Sequence, residues 1–271
     1  MNLWRSFILF WSGSLLFCPA GSSLSSELGL LPSLGWSSQA RMIQSQIERS
    51  FHVRGGISDR ELKRMIQRAI GEANPHQVGL TADSPTVLAR EILKSARCYG
   101  VDPVVMTALI WRESNFKPQA RSERGAAGLT QMTAPGIREV LDRLSPDSPR
   151  RLGYLRRLVS RCHPGVMVRV EPGEVPAERI AVWKDSLKEH HAEAILFGVL
   201  LLKINLAASR PRVSFGDSAL EQVEEALARY NGDPAIKERF AKDVLLLARR
   251  MWEPPTVALN ESKFLRLIRG L

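Results

Sequence analysis

The sequence predicts a mainly α-helical protein, and two kinds of observation carry that prediction. Apolar residues recur at three- and four-residue spacing in separate stretches, such as Leu62, Met65, Ile66 and Ala69, and again Leu220, Val223, Leu227 and Tyr230. That period belongs to a helix with one face turned to a core. Helix-start spellings precede these stretches: Ser58-x-x-Glu61, Ser84-Pro85, Asp102-Pro103 and Ser218-x-x-Glu221. A short polar side chain there can bind the unpaired N–H groups of a first turn, and proline fits a first helical position. The 271 residues, 44% hydrophobic and 24% charged, are an ordinary globular composition, long enough for one good-sized domain with appendages. The net charge of +10 favours anionic partners: nucleic acid, anionic lipid or an acidic polymer. Charge alone does not choose among them.

Residues 1–20 are organised like a secretory signal. Arg5 is the only charge, and the eleven residues Phe7 to Phe17 are apolar except for Ser12, Gly13 and Ser14. That length suits a signal core and is too short to span a bilayer. Cys18-Pro19-Ala20 spells a small-x-small cleavage site. Cys18 leaves a lipid anchor open as a second reading, against which bulky Phe17 stands. Residues 21–82 read as a Ser/Gly/Leu-rich linker followed by a short helical preamble that ends between Gly71 and Pro75.

The main domain is expected over residues 83–253. Ser84-Pro85 starts its first helix, with Val87, Leu88, Ile92 and Ala96 inward and Gly100 past its end. Asp102-Pro103 starts the second, which puts Met106, Leu109, Ile110 and Glu113 on one face. A carboxylate that ends an apolar stripe loses hydration, which raises its pKa. A raised-pKa acid is what general acid catalysis near neutral pH requires. The plain alternative is a surface Glu at a helix end. Pro118 bars helix continuation, and Gly125 and Gly128 give the following loop freedom of backbone and close approach.

Glu113, Ser114, Phe116, Pro118, Ala120, Ser122, Gly125, Ala126, Gly128, Leu129 and Gln131 stand in the order and spacing E-S-x-F-x-P-x-A-x-S-x-x-G-A-x-G-L-x-Q. This stretch resembles the transglycosylase SLT domain, the soluble lytic transglycosylases related to goose-type lysozyme. The resemblance implies a lysozyme-like helical fold that cleaves the glycan strand of peptidoglycan. It also implies Glu113 as the sole acid/base, since the motif supplies no second carboxylate where most glycosidases use two. By the same resemblance Ser122, Gln131, Gly128 and Ser114 are candidate substrate-binding residues: Ser122 and Gln131 would bind the sugar's acetamido and hydroxyl groups, and Ser114 would mainly support the loop. The family's Met two residues past the Gln is Thr133 here, and the Pro after it is Ala134.

Ala134 to Leu144 reads as the third helix. Residues 145–187 depart from the family, whose connection here is shorter. Five prolines punctuate them, and Arg150, Arg151, Arg156, Arg157 and Arg161 occur with no acid among them. This inserted helix presents either a solvated arginine face or a clamp for anionic strand or peptide carboxylates. Ala192 to Ala208 is strongly apolar, but Lys203 interrupts the run from Ile195 too soon for a membrane span, so no transmembrane helix is expected in the mature chain. Gly198 would admit a close neighbour. Ala194 and Leu201 replace an Asn and a Tyr of the family pattern at positions that read as core. The helix from Ser218 ends in Tyr230-Asn231-Gly232-Asp233-Pro234, which is turn chemistry. Family members carry A-Y-N there, with the tyrosine facing the catalytic acid, so Tyr230 and Asn231 join the candidate site. A last helix is expected from Ala235 to Trp252, and residues 254–271 form a basic tail.

Cys98 and Cys162 remain after cleavage. An exported chain could oxidise them, but spacing does not prove proximity and the pairing stays open. No His, Cys and carboxylate cluster is spelled at metal-ligand spacing, and no cofactor is implied. Three functions compete. The first is an exported lytic transglycosylase that leaves a 1,6-anhydro-MurNAc end. The second is a hydrolytic muramidase, marked by a second ordered carboxylate opposite Glu113. The third is a weakly active wall-binding component of an envelope-spanning secretion or conjugation complex. In each the partner is the peptidoglycan strand in the periplasm or cell envelope, and nucleic acid is not expected.

Overall fold

The computed structural model describes residues 58–76, 80–81, 84–209 and 218–252. The signal at 1–20 with Cys18, the linker up to 57 and the basic tail 254–271 lie outside them. Among the described residues the regular structure is helical, and the helices run in this order: α1 Asp59–Ala73, α2 Ser84–Tyr99, α3 Pro103–Ser114, α4 Ala134–Leu144, α5 Gly153–Cys162, α6 Pro164–Val168, α7 Ala177–Glu189, α8 His191–Ala208, α9 Ser218–Asn231 and α10 Lys237–Trp252.

The start signals act through the hydrogen bonds they were expected to make in two helices. At α1 the Ser58 hydroxyl accepts from the Glu61 N–H, and the Glu61 carboxylate accepts from the Ser58 N–H at 2.9 Å. At α3 one Asp102 carboxylate oxygen accepts from the N–H groups of Val104 and Val105, at 2.8 and 2.9 Å. Ser84 differs from its expected capping role. Its hydroxyl accepts from the Thr81 N–H at 2.9 Å, so it fastens the chain before the helix.

α3 and α8 are the centre of the fold. From Pro103 to Trp111 every residue of α3 is buried. The one-sided stripe expected for this helix is therefore too narrow: α1, α2 and α10 pack around it, and a helix enclosed on all sides is apolar all round. α8 is enclosed by α2, α4, α7 and α9. Its 18 residues are long and apolar enough to cross a membrane by length and composition. Here those side chains line the protein interior, with Ile195, Leu196, Phe197, Val199 and Leu200 fully buried. Each such side chain contributes about 1.5–3 kcal/mol by burial. Gly198 lets the fold close, since a Cβ there would lie 2.6 Å from Thr130 Cγ2. The close neighbour is thus the loop between α3 and α4.

Residues 145–187 hold more structure than the proline spacing suggested. α7 was not expected, yet its Ile180, Trp183 and Leu187 are core residues. Cys98 of α2 and Cys162 of α5 are joined in a disulfide, Cα to Cα 6.6 Å. Beside it the Tyr99 hydroxyl lies 2.9 Å from His163 Nδ1. Burial pushes the Tyr99 phenol above its ordinary range, and burial with nearby Lys94 lowers His163 to about 4.

Candidate active site

The loop from Asn115 to Thr133 is folded mainly by its own backbone. Asn115, which caps α3, and Phe116 take the left-handed conformation, at φ 49° and 56°. This turns the chain back over the end of the helix and buries the Phe116 ring completely. Ala127 exchanges backbone hydrogen bonds with Met132, at 3.2 and 3.1 Å, and Gly128 donates to Ala120 at 3.0 Å. Gly128 has φ +80°, and a Cβ on it would meet the Leu187 carbonyl oxygen at 2.8 Å. Glycine is required there by both conformation and space. Thr130 then ties the loop to α8 by donating to the Ala194 carbonyl at 2.9 Å.

That loop, the last turn of α3, and the turn after α9 enclose a cleft of about 220 Å³. Glu113, Ser122, Gln131, Tyr230 and Asn231 all line it. Five of the seven residues singled out from the sequence therefore meet in one place, drawn from segments about 100 residues apart. Ser114 and Gly128 do not line it. Ser114 is 6% exposed, and its hydroxyl donates to the Ile110 carbonyl at 3.1 Å. Gly128 serves the packing of the loop on α7.

Glu113 is half-buried on the one turn of α3 that reaches the cleft. Burial pushes its carboxyl up to about 7, with the charge of Arg112 pulling the other way. Arg112 is itself turned to α10, where it pairs with Asp243 at 3.1 Å and lies over the Phe240 ring. Tyr230 donates its hydroxyl hydrogen to the Thr130 carbonyl at 2.8 Å, and not to Glu113. Its phenol is held well above the usual range by burial and then by the charge of Glu113. The phenol hydrogen is thus committed to the loop backbone, while Tyr230 and Glu113 line the same cleft.

The other polar residues are partly committed as well. Gln131 has φ 46°, and its amide nitrogen donates to the carbonyls of Ala120 and Gly128, both at 2.9 Å. Only its amide oxygen is left for a ligand. The Ser122 hydroxyl accepts from the Ala126 N–H at 3.0 Å and keeps its own hydrogen to offer. Asn231 accepts from the Asp233 N–H at 3.2 Å and keeps its amide hydrogens.

The cleft also contains residues that the sequence did not point to. Arg124, Asp233 and Ile236 line it, and so does Leu201, which had read purely as core. Arg124 and Asp233 are paired. None of Arg150, Arg151, Arg156, Arg157 and Arg161 is among the lining residues.

Comparison with known proteins bears on this site. Residues 90–152 match the Transglycosylase SLT domain. That stretch of the chain is similar to the SLT domain. The SLT match covers Glu113, Ser122 and Gln131 and stops before α5 and before Tyr230. Membrane-bound lytic murein transglycosylase F of Vibrio parahaemolyticus serotype O3:K6 (strain RIMD 2210633) is 41% identical over 61 residues, 21% of this chain and 12% of that protein. The protein of the same name from Vibrio campbellii (strain ATCC BAA-1116) is 41% identical over 61 residues, 21% of this chain and 11% of its own length. The matched region thus spans about a tenth of these curated relatives. No solved structure matches the chain significantly.

Proposed function

We propose that this protein is a peptidoglycan lytic transglycosylase with Glu113 as its single acid and base. The observation that carries the reading is the position of Glu113: half-buried in the cleft, carboxyl pushed up to about 7, beside Tyr230. A carboxylic acid of that pKa holds a proton it can give near neutral pH. Glu113 protonates the glycosidic oxygen between MurNAc and GlcNAc, and the bond breaks while the substrate's N-acetyl group stabilises the sugar cation. The carboxylate so formed takes the proton from the MurNAc C6 hydroxyl. That oxygen closes on C1, giving a 1,6-anhydro end and regenerating the acid without consuming water. Tyr230 orients Glu113 in the cleft. Ser122, the amide oxygen of Gln131 and the amide hydrogens of Asn231 contact the sugar. The SLT match and the names of the two relatives support this substrate.

Export to the cell envelope belongs to the same proposal. It is supported by the charge and apolar pattern of residues 1–20 and by the Cys98–Cys162 disulfide, which suits an oxidising compartment. The domain is taken to run over 83–253 with 145–187 as an insertion. A place in a secretion or conjugation complex is the partner this reading allows.

One observation favours a hydrolytic muramidase as the second reading: Asp233 puts another carboxylate in the same cleft. The test is digestion of purified sacculi by wild type and by Glu113→Gln, with masses of the released muropeptides. Ends lighter by one water, absent with the variant, are expected. Full-mass reducing ends would establish the muramidase, and binding without release would leave a wall-binding component.

A further inference from the structure

We propose that Arg124 is the binding residue for carboxylates borne by the muramic acid units of the strand, which it engages by exchanging Asp233 for the ligand. This rests on the reading of the cleft as a glycan site. The two partners come from separate walls, Arg124 from the loop after α3 and Asp233 from the turn after α9, 109 residues apart. Among the described residues that line the cleft, Arg124 is the one cation.

The two ends of the pair are held unequally. Asp233 is fixed without Arg124. Its other carboxylate oxygen accepts from the Ala235 N–H at 3.0 Å, and its own N–H donates to Asn231 at 3.2 Å. Its carbonyl accepts from the N–H groups of Ile236 and Lys237, at 3.2 and 2.9 Å. The Ala235 N–H and the guanidinium together hold its carboxyl below the usual range. The Arg124 side chain is 77% exposed against 14% for Asp233, and its hydrogen bond to Asp233 is made through Nη1. An ion pair so open to water is weak and easily exchanged. A guanidinium presents parallel N–H groups that fit a carboxylate in two-point contact, and the present pair leaves most of that fork unspent. Swinging from Asp233 to an incoming anion leaves the hydrogen bonds that hold the turn in place. The anion is either the lactyl carboxylate of a bare muramic acid or a carboxylate of the attached peptide, and the chemistry is the same.

The test measures binding in a Glu113→Gln background, so that no strand is cut. The ligands are peptide-free glycan strands with free lactyl carboxylates, peptide-bearing strands, and neutral chitohexaose. Adding Arg124→Gln is expected to weaken a carboxylate-bearing ligand by about tenfold or more, the worth of a hydrogen bond to a charged group, and to leave chitohexaose unchanged. The strand type that suffers identifies the lactyl or the peptide carboxylate as the anion. Asp233→Asn keeps the acceptor for Ala235 and frees Arg124, so it should tighten the same ligand. Both variants weakening all three ligands alike would show a mere clasp between the walls and overturn the proposal. So would no change with either variant, or no binding of any ligand. Muropeptide release by the wild type is read separately, so its absence with this binding pattern intact would sink the transglycosylase reading alone.

Discussion

Two stretches flank α4, and they are held by different means. The loop 115–133 before it is held by short-range backbone geometry: positive φ at Asn115, Phe116, Gly125, Gly128 and Gln131, with carbonyls and N–H groups of the loop bonded to each other. The stretch 145–187 after it is held by long-range ties. A disulfide reaches back 64 residues to α2. Arg150 and Arg143 share Glu139 of α4, at 2.5 and 2.8 Å. Arg169 lies over Trp183 and pairs with Glu193 of α8. The first stretch positions chemistry and the second fastens the scaffold. The comparison therefore predicts that damage to the first appears in catalysis and damage to the second in stability.

The largest expected effect is on the catalytic side. Glu113→Gln should lower muropeptide release by about 10²- to 10⁴-fold, the usual contribution of a general acid, while the helical circular dichroism stays that of the wild type. Retained release would move the chemistry away from α3 and remove the contrast between the two stretches.

The disulfide should show the opposite pattern. Replacing Cys98 and Cys162 by Ser removes a 64-residue loop constraint, worth about 4 kcal/mol in the chain-entropy account. Urea unfolding should read that loss, while the rate of release at low temperature should stay near that of wild type. A large loss of activity in the folded double variant would mean that the second stretch also shapes the cleft.

Gly128→Ala crosses the boundary, because it lies in the first stretch and touches the second. The left-handed backbone and the 2.8 Å approach to the Leu187 carbonyl together predict a loss of about 2–4 kcal/mol. Release should fall with it even where the protein is still folded, since Gln131 hangs from the Gly128 carbonyl. An unfolding midpoint unchanged by this substitution would show that the loop does not depend on α7.

The same comparison explains how much could be read in advance. Glu113 was legible at the end of an apolar stripe, whereas Ser122, Gln131 and the site role of Tyr230 came from the resemblance to the SLT pattern. The stripe alone made Tyr230 a core residue. Arg124 and Asp233 gave no signal, since nothing local in either segment names a partner 109 residues away. α7 had a signal, Ile180, Trp183 and Leu187 at helical spacing, but Pro172 and Pro176 just before it drew the reading toward loop. The burial of α3 on every side was also hidden. Its sequence shows where one apolar face lies and not how many neighbours will cover the others.

A smaller effect follows from the raised carboxyl of Glu113. The folded state binds its proton up to about 7, and the unfolded chain releases it near 4.5, the ordinary value. Stability associated with the neutral form is complete below the unfolded value and is lost as pH rises through 7. Allowing for residual solvent contact, wild type should lose about 1–3 kcal/mol relative to Glu113→Gln between pH 4.5 and 8. Release should fall over the upper part of the same range, because the acid must start protonated. Parallel unfolding curves for the two proteins at both pH values would show that this carboxyl is well hydrated.

The smallest effect separates kinds of tie within the second stretch. Arg150 is more than half exposed and reaches Glu139 at 2.5 Å and Asp142 at 3.9 Å. Glu139 keeps Arg143 when Arg150 is lost, so no charge is stranded. Arg150→Ala should therefore cost less than about 0.5 kcal/mol, as exposed pairs usually do. Glu139→Ala removes the acceptor of two guanidinium groups and should cost more, about 1 kcal/mol. If the arginine substitution matched the loss on breaking the disulfide, the stretch would be fastened by its charges and raised salt would loosen it. If both variants stay small in urea unfolding, the covalent link and the packing of Trp183 hold the scaffold. The arginine face then contributes mainly net positive charge.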